Sequence, residues 1–232
     1  MALNLGLATT NVTAATATDC TVTKPASTAE GDLVVVHIHT EDGVTVTEPS
    51  GWAQIGSTVS HGSVNMQDRA YQKVMGAGEP ASWTWTHASC WRTGSAYRIT
   101  GAPATSVIDG TPTTNTGTGT TLTWLSITTA QNNSALVGFR GSWDVKTQST
   151  LSSPLVERLD TGWSGIASGV QATAGASGDK TLAIAAAGTD EWNGIFFAVK
   201  DAAESPSQDT PELRGRPFGL HGQQQMSQLL AH

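Results

Sequence analysis

Through residue 200 the chain is a succession of short apolar runs and period-two alternations separated by turn residues, with no sustained period of 3.6. Leu33 to Thr40 reads as a buried strand, and Asp42-Gly43 after it is a strong turn signal. Trp52 to Val59 and Asp68 to Val74 alternate apolar and polar residues, as half-buried strands do. Gly76-Ala-Gly-Glu-Pro80 is a turn, because Pro80 has no N–H to donate into a central ladder. Trp83 to Thr86 and Gly94 to Thr100 are read as two further strands. Residues 1–30, rich in Thr and Ala, predict one or two edge strands. Residues 101–132 read as a connector holding one strand, Thr121 to Ile127. Strands at spacings of about 8–12 residues predict a sandwich or barrel with very little helix.

The order of these segments recurs about a hundred residues later. Ser134-Ala-Leu-Val-Gly-Phe139, Ser153-Pro-Leu-Val-Glu157, Ser168-Gly-Val-Gln-Ala172, Ala174-Gly-Ala-Ser-Gly-Asp179, Leu182-Ala-Ile184 and Asn193 to Lys200 follow the sequence of strands and turns of the first half. Few identities survive, but order of this kind is how an internal repeat shows itself. The expectation is an all-β, antiparallel sandwich over residues 1–200, jelly-roll-like and built from two related halves at about 30–101 and 133–200.

Composition narrows the function classes. Charged residues make up 13% of the chain, about half the usual ~25%. Thr (34 residues) and Gly (25) are abundant instead, one suited to pleated surfaces and the other to turns. The surface is therefore expected to be polar but mostly neutral. A net charge of −7 without a basic cluster argues against a nucleic-acid partner. No apolar stretch, Leu33 to Val36 included, comes near the ~20 residues a membrane helix needs. The first residues, Met1-Ala-Leu-Asn-Leu-Gly-Leu, lack the basic n-region and continuous h-region of a secretory signal. Cys20 and Cys90 are too few for a disulfide framework and read as free, mostly buried thiols.

Beyond residue 200 the chain changes in kind. Residues 201–212 form a polar, Pro-punctuated linker. Residues 213–232 carry Phe218, Leu220, His221, Met226, Leu229 and Leu230, with Met226, Leu229 and Leu230 at i, i+3, i+4 as on one helix face. Apolar residues are what an unstructured tail avoids, so this end reads as a docking segment that orders on a neighbouring subunit.

Candidate chemistry is sparse. Gly31, five residues, then His37-Ile-His39 is similar to the first metal-binding motif of cupins, and residues two apart on a strand share a face. However, Glu41 comes too early and Glu48 too late for the third cupin ligand, and the second cupin motif has no match. His37 and His39 are thus weak metal candidates, read as histidines on the wetter face of a strand. No metal or other cofactor is expected, with His61 and His87 lacking fixed geometry toward them. Gly162-Trp-Ser-Gly lacks the glycine two residues after Ser164 that a nucleophile elbow requires. Cys90, three residues after His87, lacks the flanks of a thiol nucleophile, and no spacing supports a carboxylate pair. Eight Trp stand against two Tyr. Trp83 and Trp85 share one strand face with Trp91 just beyond, so these three are candidates for a sugar-stacking platform as well as for core packing. Trp52, Trp124, Trp143, Trp163 and Trp192 are read as structural.

Gly31-Asp-Leu-Val-Val, Pro49-Ser-Gly-Trp52, Tyr71-Gln-Lys-Val74, Gly78-Glu-Pro80 and Trp83-Thr-Trp85-Thr86 together resemble a group of phage-encoded β-sandwich (jelly-roll-like) virion proteins, over residues 30–200. The resemblance implies a non-enzymatic structural component of a phage particle: a capsid decoration, a head or tail fibre, or a receptor-contacting module. It implies assembly in the host cytoplasm into the virion, homo-oligomerisation, and capsid or tail subunits as partners. A host surface glycan is an alternative partner through the Trp face; nucleic acid and membrane insertion are not expected.

Overall fold

The computed structural model describes residues 3–10, 15–185 and 190–204. They form seventeen strands: β1 (Asn4–Thr10), β2 (Ala15–Thr23), β3 (Leu33–Thr40), β4 (Val46–Thr47), β5 (Ala53–His61), β6 (Met66–Val74), β7 (Ser82–Thr100), β8 (Thr113–Thr118), β9 (Thr121–Trp124), β10 (Thr128–Thr129), β11 (Ser134–Ser142), β12 (Thr147–Leu151), β13 (Val156–Asp160), β14 (Ser164–Gln171), β15 (Gly175–Ala176), β16 (Lys180–Ala185) and β17 (Glu191–Val199). A single 3-10 turn, Ala202–Glu204, follows. All named pairings are antiparallel, and the all-β expectation is met.

A seven-stranded sheet runs β1-β7-β3-β6-β5, with β2 and β4 added along the first part of β7. A five-stranded sheet runs β13-β14-β11-β17-β8, accompanied by a three-stranded sheet β12-β16-β9 and the small pair β10-β15. Taken from the other end, β8-β17-β11-β14-β13 places its strands in the same relative chain order as β1-β7-β3-β6-β5.

The central strands β3 and β11 are buried along their whole length. Their alternation is therefore between two covered faces, not between core and water. One face of each, Leu33 and Val35 on β3 and Ala135, Val137 and Phe139 on β11, meets in the middle of the molecule with Ile55, Ala70, Tyr97, Ile99, Ile166, Ile195 and Phe197. The other face of β3, Val34, Val36 and Ile38, packs with Cys20, Val22, Trp52, Tyr71, Trp83 and Trp85. The other face of β11 packs Leu136 with Leu122, Trp124, Leu182, Trp192 and Phe196. Two packed stacks thus meet through a central core layer, and continuous apolar runs such as Leu33 to Val36 are what burial on both faces demands.

Trp83–Thr86 and Gly94–Thr100, expected as separate strands, are parts of the single strand β7. Opposite β2, Ala17 pairs with Cys90 but Asp19 pairs with Thr86, so His87, Ala88 and Ser89 on β7 stand against the single residue Thr18, two residues in excess. That bulge lets one strand leave one layer and enter another, the way corners are turned in packed sheets. Trp83 and Trp85 reach the same core as Ala96 although the positions differ in parity. The connector expected at 101–132 is more ordered than its sequence suggests, holding β8, β9 and β10; its strand ends at Trp124, three residues short of Ile127.

Candidate functional site

The densest polar chemistry lies in the central layer, where the two large sheets meet. Strand alternation turns His37 and His39 to that face. The antiparallel register then sets His39 opposite Asp68 of β6 and opposite Thr93 of β7, and His37 opposite Ala70 and Ser95. His37 Nε2 lies 2.6 Å and His39 Nδ1 2.9 Å from the same oxygen, Asp68 Oδ1. An ionised carboxylate has no hydrogen to give, so both nitrogens carry one and donate it, which sets the tautomer of each ring. From the five-stranded sheet, Asn193 Nδ2 donates to Asp68 Oδ2 at 2.8 Å and to the Met66 carbonyl at 3.2 Å. Nearby, Tyr97 and Ser168 join the sheets through a hydroxyl pair 2.8 Å apart.

These groups are sealed: His37 and Asp68 are 1% exposed, His39 and Asn193 0%. The reading of the histidines as residues of a wetter strand face is therefore corrected, since that face is covered by β11, β14 and β17. Burial pushes the His37 pKa down against the pull of Asp68, favouring the neutral ring. Burial alone would raise the Asp68 carboxyl, but the flanking histidines and their hydrogen bonds outweigh it and hold it well below the usual carboxylate range. Packing completes the cluster. The His37 ring stacks on Phe139 at 5.0 Å, and His39 meets Trp91 edge-on at 5.8 Å. Gly141 is the residue that makes room for the carboxylate: a Cβ there would sit 2.6 Å from Asp68 Cγ and closer still to its oxygens.

Trp91, half-buried, lies 4.1 Å from Trp163, also half-buried, with the rings tilted by 50°. Behind β11, Arg140 is 0% exposed and paired with Asp160 at 3.0 Å. Its guanidinium also donates to Ser142 Oγ, to the Lys146 carbonyl at 3.2 Å and to the Gly162 carbonyl at 3.3 Å. Asp160 in turn accepts from the Gly162 and Gln148 amides at 2.8 and 2.7 Å. This network holds the turn that carries Trp163.

The other candidates are placed as follows. Trp83 and Trp85 are 5% and 0% exposed and pack on Trp52 at 5.0 Å each, so they are core residues and offer no sugar platform. Only Trp91 of the three reaches the surface. Among the described residues no group of three His, Cys, Asp or Glu is arranged to hold a metal ion. His61 bonds Ser63 at 2.9 Å, and His87 bonds the Ala88 carbonyl at 2.8 Å. Cys20 and Cys90 are free and buried, as expected, and burial raises both thiols, Cys20 to about 12. Ser95, His37 and Asp68 sit on three adjoining strands, but Ser95 is 0% exposed, so no acyl substrate reaches its hydroxyl. A surface cleft of about 350 Å³ is lined by Lys24, Thr28, Glu30, Met75 and Glu79 among others. Two of its charged groups are engaged, Lys24 with the Glu79 carbonyl at 3.0 Å and Glu79 with Lys73 at 2.8 Å. Phe218, Leu220, His221, Met226, Leu229 and Leu230 lie outside the described residues, as does the linker from residue 205 on.

Asp68, Asn193, Arg140 and the pairing of Trp163 were not singled out from sequence. One signal was present: Asp68 falls at the same parity as the buried Ala70, an acid at an inward position. Comparison with protein-family models, with curated proteins and with solved structures gives no match.

Proposed function

We propose that this chain is a non-enzymatic structural component of a phage particle, a capsid decoration or a head or tail fibre protein. The observation that carries the reading is what its signature motifs do. Gly31, Gly51 and Gly78, the glycines of Gly-Asp-Leu-Val-Val, Pro-Ser-Gly-Trp and Gly-Glu-Pro, all adopt positive φ (85°, 83° and 73°), a backbone that L side chains avoid. Asp32 caps its own turn by accepting from the Ala29 amide at 2.8 Å and pairs with Arg98 at 2.7 Å. Lys73 and Glu79 join two of the motifs, while Trp52, Tyr71, Trp83 and Trp85 form one aromatic cluster. The motifs are thus scaffold, and the most reactive side-chain types, His37, His39 and Asp68, are used to fasten sheet to sheet. Low charge and many exposed threonines suit a durable particle surface.

Mass spectrometry of purified particles from the source virus is the direct test. The expected result is this chain at a copy number comparable with other structural proteins; its presence in infected cells but absence from particles would overturn the reading. Anchoring by residues 213–232 rests on sequence and has its own check: truncation at residue 204 should leave a folded protein that no longer joins particles. A second, receptor-contact reading is favoured by one feature, the half-buried Trp91–Trp163 pair. Glycan binding that disappears in Trp91→Ala would support it, and an array with no binding would remove it.

A further inference from the structure

Two ring nitrogens of the central cluster have no partner. With His37 Nε2 and His39 Nδ1 both donating to Asp68, His37 Nδ1 and His39 Nε2 are buried acceptors that meet no donor. A protein tolerates an unmet acceptor more readily than an unmet N–H. Adding a proton to either ring converts a tolerated lone pair into a buried N–H without an acceptor. Ser95, the register neighbour of His37, makes no hydrogen bond to it. The carboxylate has little freedom to adjust, being held by Asn193 and wedged against Gly141.

The charged surroundings pull both ways. Facing His37 are Asp68 of β6, His39 of its own strand and Arg140 of β11, which lies on the far face of that strand and opposes a second positive charge. Glu41, just beyond β3, faces His39. β14 carries no charged residue, β17 only Glu191 at its start, and β7 presents Thr93 and Ser95 here. Asp68, Glu41 and the Phe139 ring are the neighbours that would favour an imidazolium, and the sealed, crowded site works against them.

We propose that this cluster is a proton-sensitive latch: with the His37 ring neutral it fastens the seven-stranded sheet to the five-stranded sheet, and uptake of a proton at His37 loosens that joint. The inference stands apart from the proposed function, since it concerns how the two sheets hold together in any setting. Its sign follows from linkage. His37 binds its proton less tightly in the closed joint than in an open chain, where a histidine titrates near 6.5. The latch is therefore at full strength above about pH 6.5 and weakens as the pH falls below it. The opening constant rises by up to about tenfold per pH unit for each proton bound. Asp68, held below the usual range, adds a second loss below about pH 4.

The test uses the intact chain. NMR of ¹⁵N-histidine-labelled protein at pH 7.5 should show His37 as the Nε2–H and His39 as the Nδ1–H tautomer. Amide exchange of β3 and β11, corrected for intrinsic rate, should lose at least tenfold protection between pH 7.5 and 5.5. The couplet of the Trp91–Trp163 pair in circular dichroism should fade over the same range. The double variant His37→Gln, His39→Gln should lose this pH dependence. Protection and couplet that stay flat between pH 7.5 and 5.5, or an unchanged pH dependence in the double variant, would overturn the latch. The wild-type measurements decide the matter even where the double variant does not fold.

Discussion

The space that Gly141 leaves for Asp68 offers the sharpest test of how the joint is built. In Gly141→Ala the new methyl carbon would lie 2.6 Å from Asp68 Cγ, with both carboxylate oxygens nearer. Ordinary contact needs roughly 3.5–4.0 Å between carbons, so the carboxylate must retreat by about an ångström. It cannot do so freely, because Oδ1 holds His37 and His39 and Oδ2 holds Asn193. Overpacking of a tight core costs about 1–3 kcal/mol, and each weakened bond to a charged acceptor contributes up to about 1.5–3 kcal/mol. Partial strain of both kinds leads to an expected loss of about 3 kcal/mol, or roughly 6–12 °C in Tm for a chain of this size. Urea unfolding followed by fluorescence and circular dichroism gives the number. The decisive comparison is a double-mutant cycle with Asp68→Ala. That variant alone should cost about 3–5 kcal/mol, as expected when a buried charge network loses one partner. It also empties the space the methyl needs, so Gly141→Ala added to it should cost under about 1 kcal/mol, a coupling of about 2 kcal/mol. A cost for Gly141→Ala that is the same in both backgrounds, or below about 0.5 kcal/mol in the wild type, would refute the reasoning.

Three further outcomes are expected. Trp85→Ala, at a fully buried position in an aromatic cluster, should lose about 3–5 kcal/mol, whereas Trp91→Ala at the half-buried rim should lose clearly less; equal losses in denaturant titrations would show that the placement of the two rings is wrong. Cys20, raised to about 12 by burial, and Cys90, also raised, should fail to react with a disulfide reagent at pH 8 in native protein and react fully in urea, and a native protein that titrates two thiols would contradict this. Tyr71, pushed up to about 12, and Tyr97, also raised by burial, are the two tyrosines of the chain. An unfolded tyrosine ionises near 10, so their contribution to stability is complete below about pH 10 and is lost as the pH climbs toward 12; ionisation at 295 nm with a midpoint near 10 in the folded protein would rule it out.

Local physics made the scaffold legible. Apolar runs, period-two alternation and turn residues mark the strands, and the glycines of the motifs stand at positive φ where a side chain would be strained. The same alternation placed His37 and His39 on one face, because successive strand side chains point to opposite sides. What covers each face is a different kind of fact. Trp83 and Trp85 stay open to both readings, core packing and platform, until β2, β3 and β6 are seen to enclose them, and β3 is buried on both sides only because β11, β14 and β17 lie against it. The bulge at 87–89 is likewise invisible in a continuous run of strand-forming residues, since it is defined by the partner strand's count. Asp68 meets the two histidines through register across 31 and 29 positions of chain, and Asn193 meets Asp68 across 125. Residue type and spacing along one strand decide which side chains share a face; only the packing of distant strands decides which of those faces is sealed and what each buried polar group finds there.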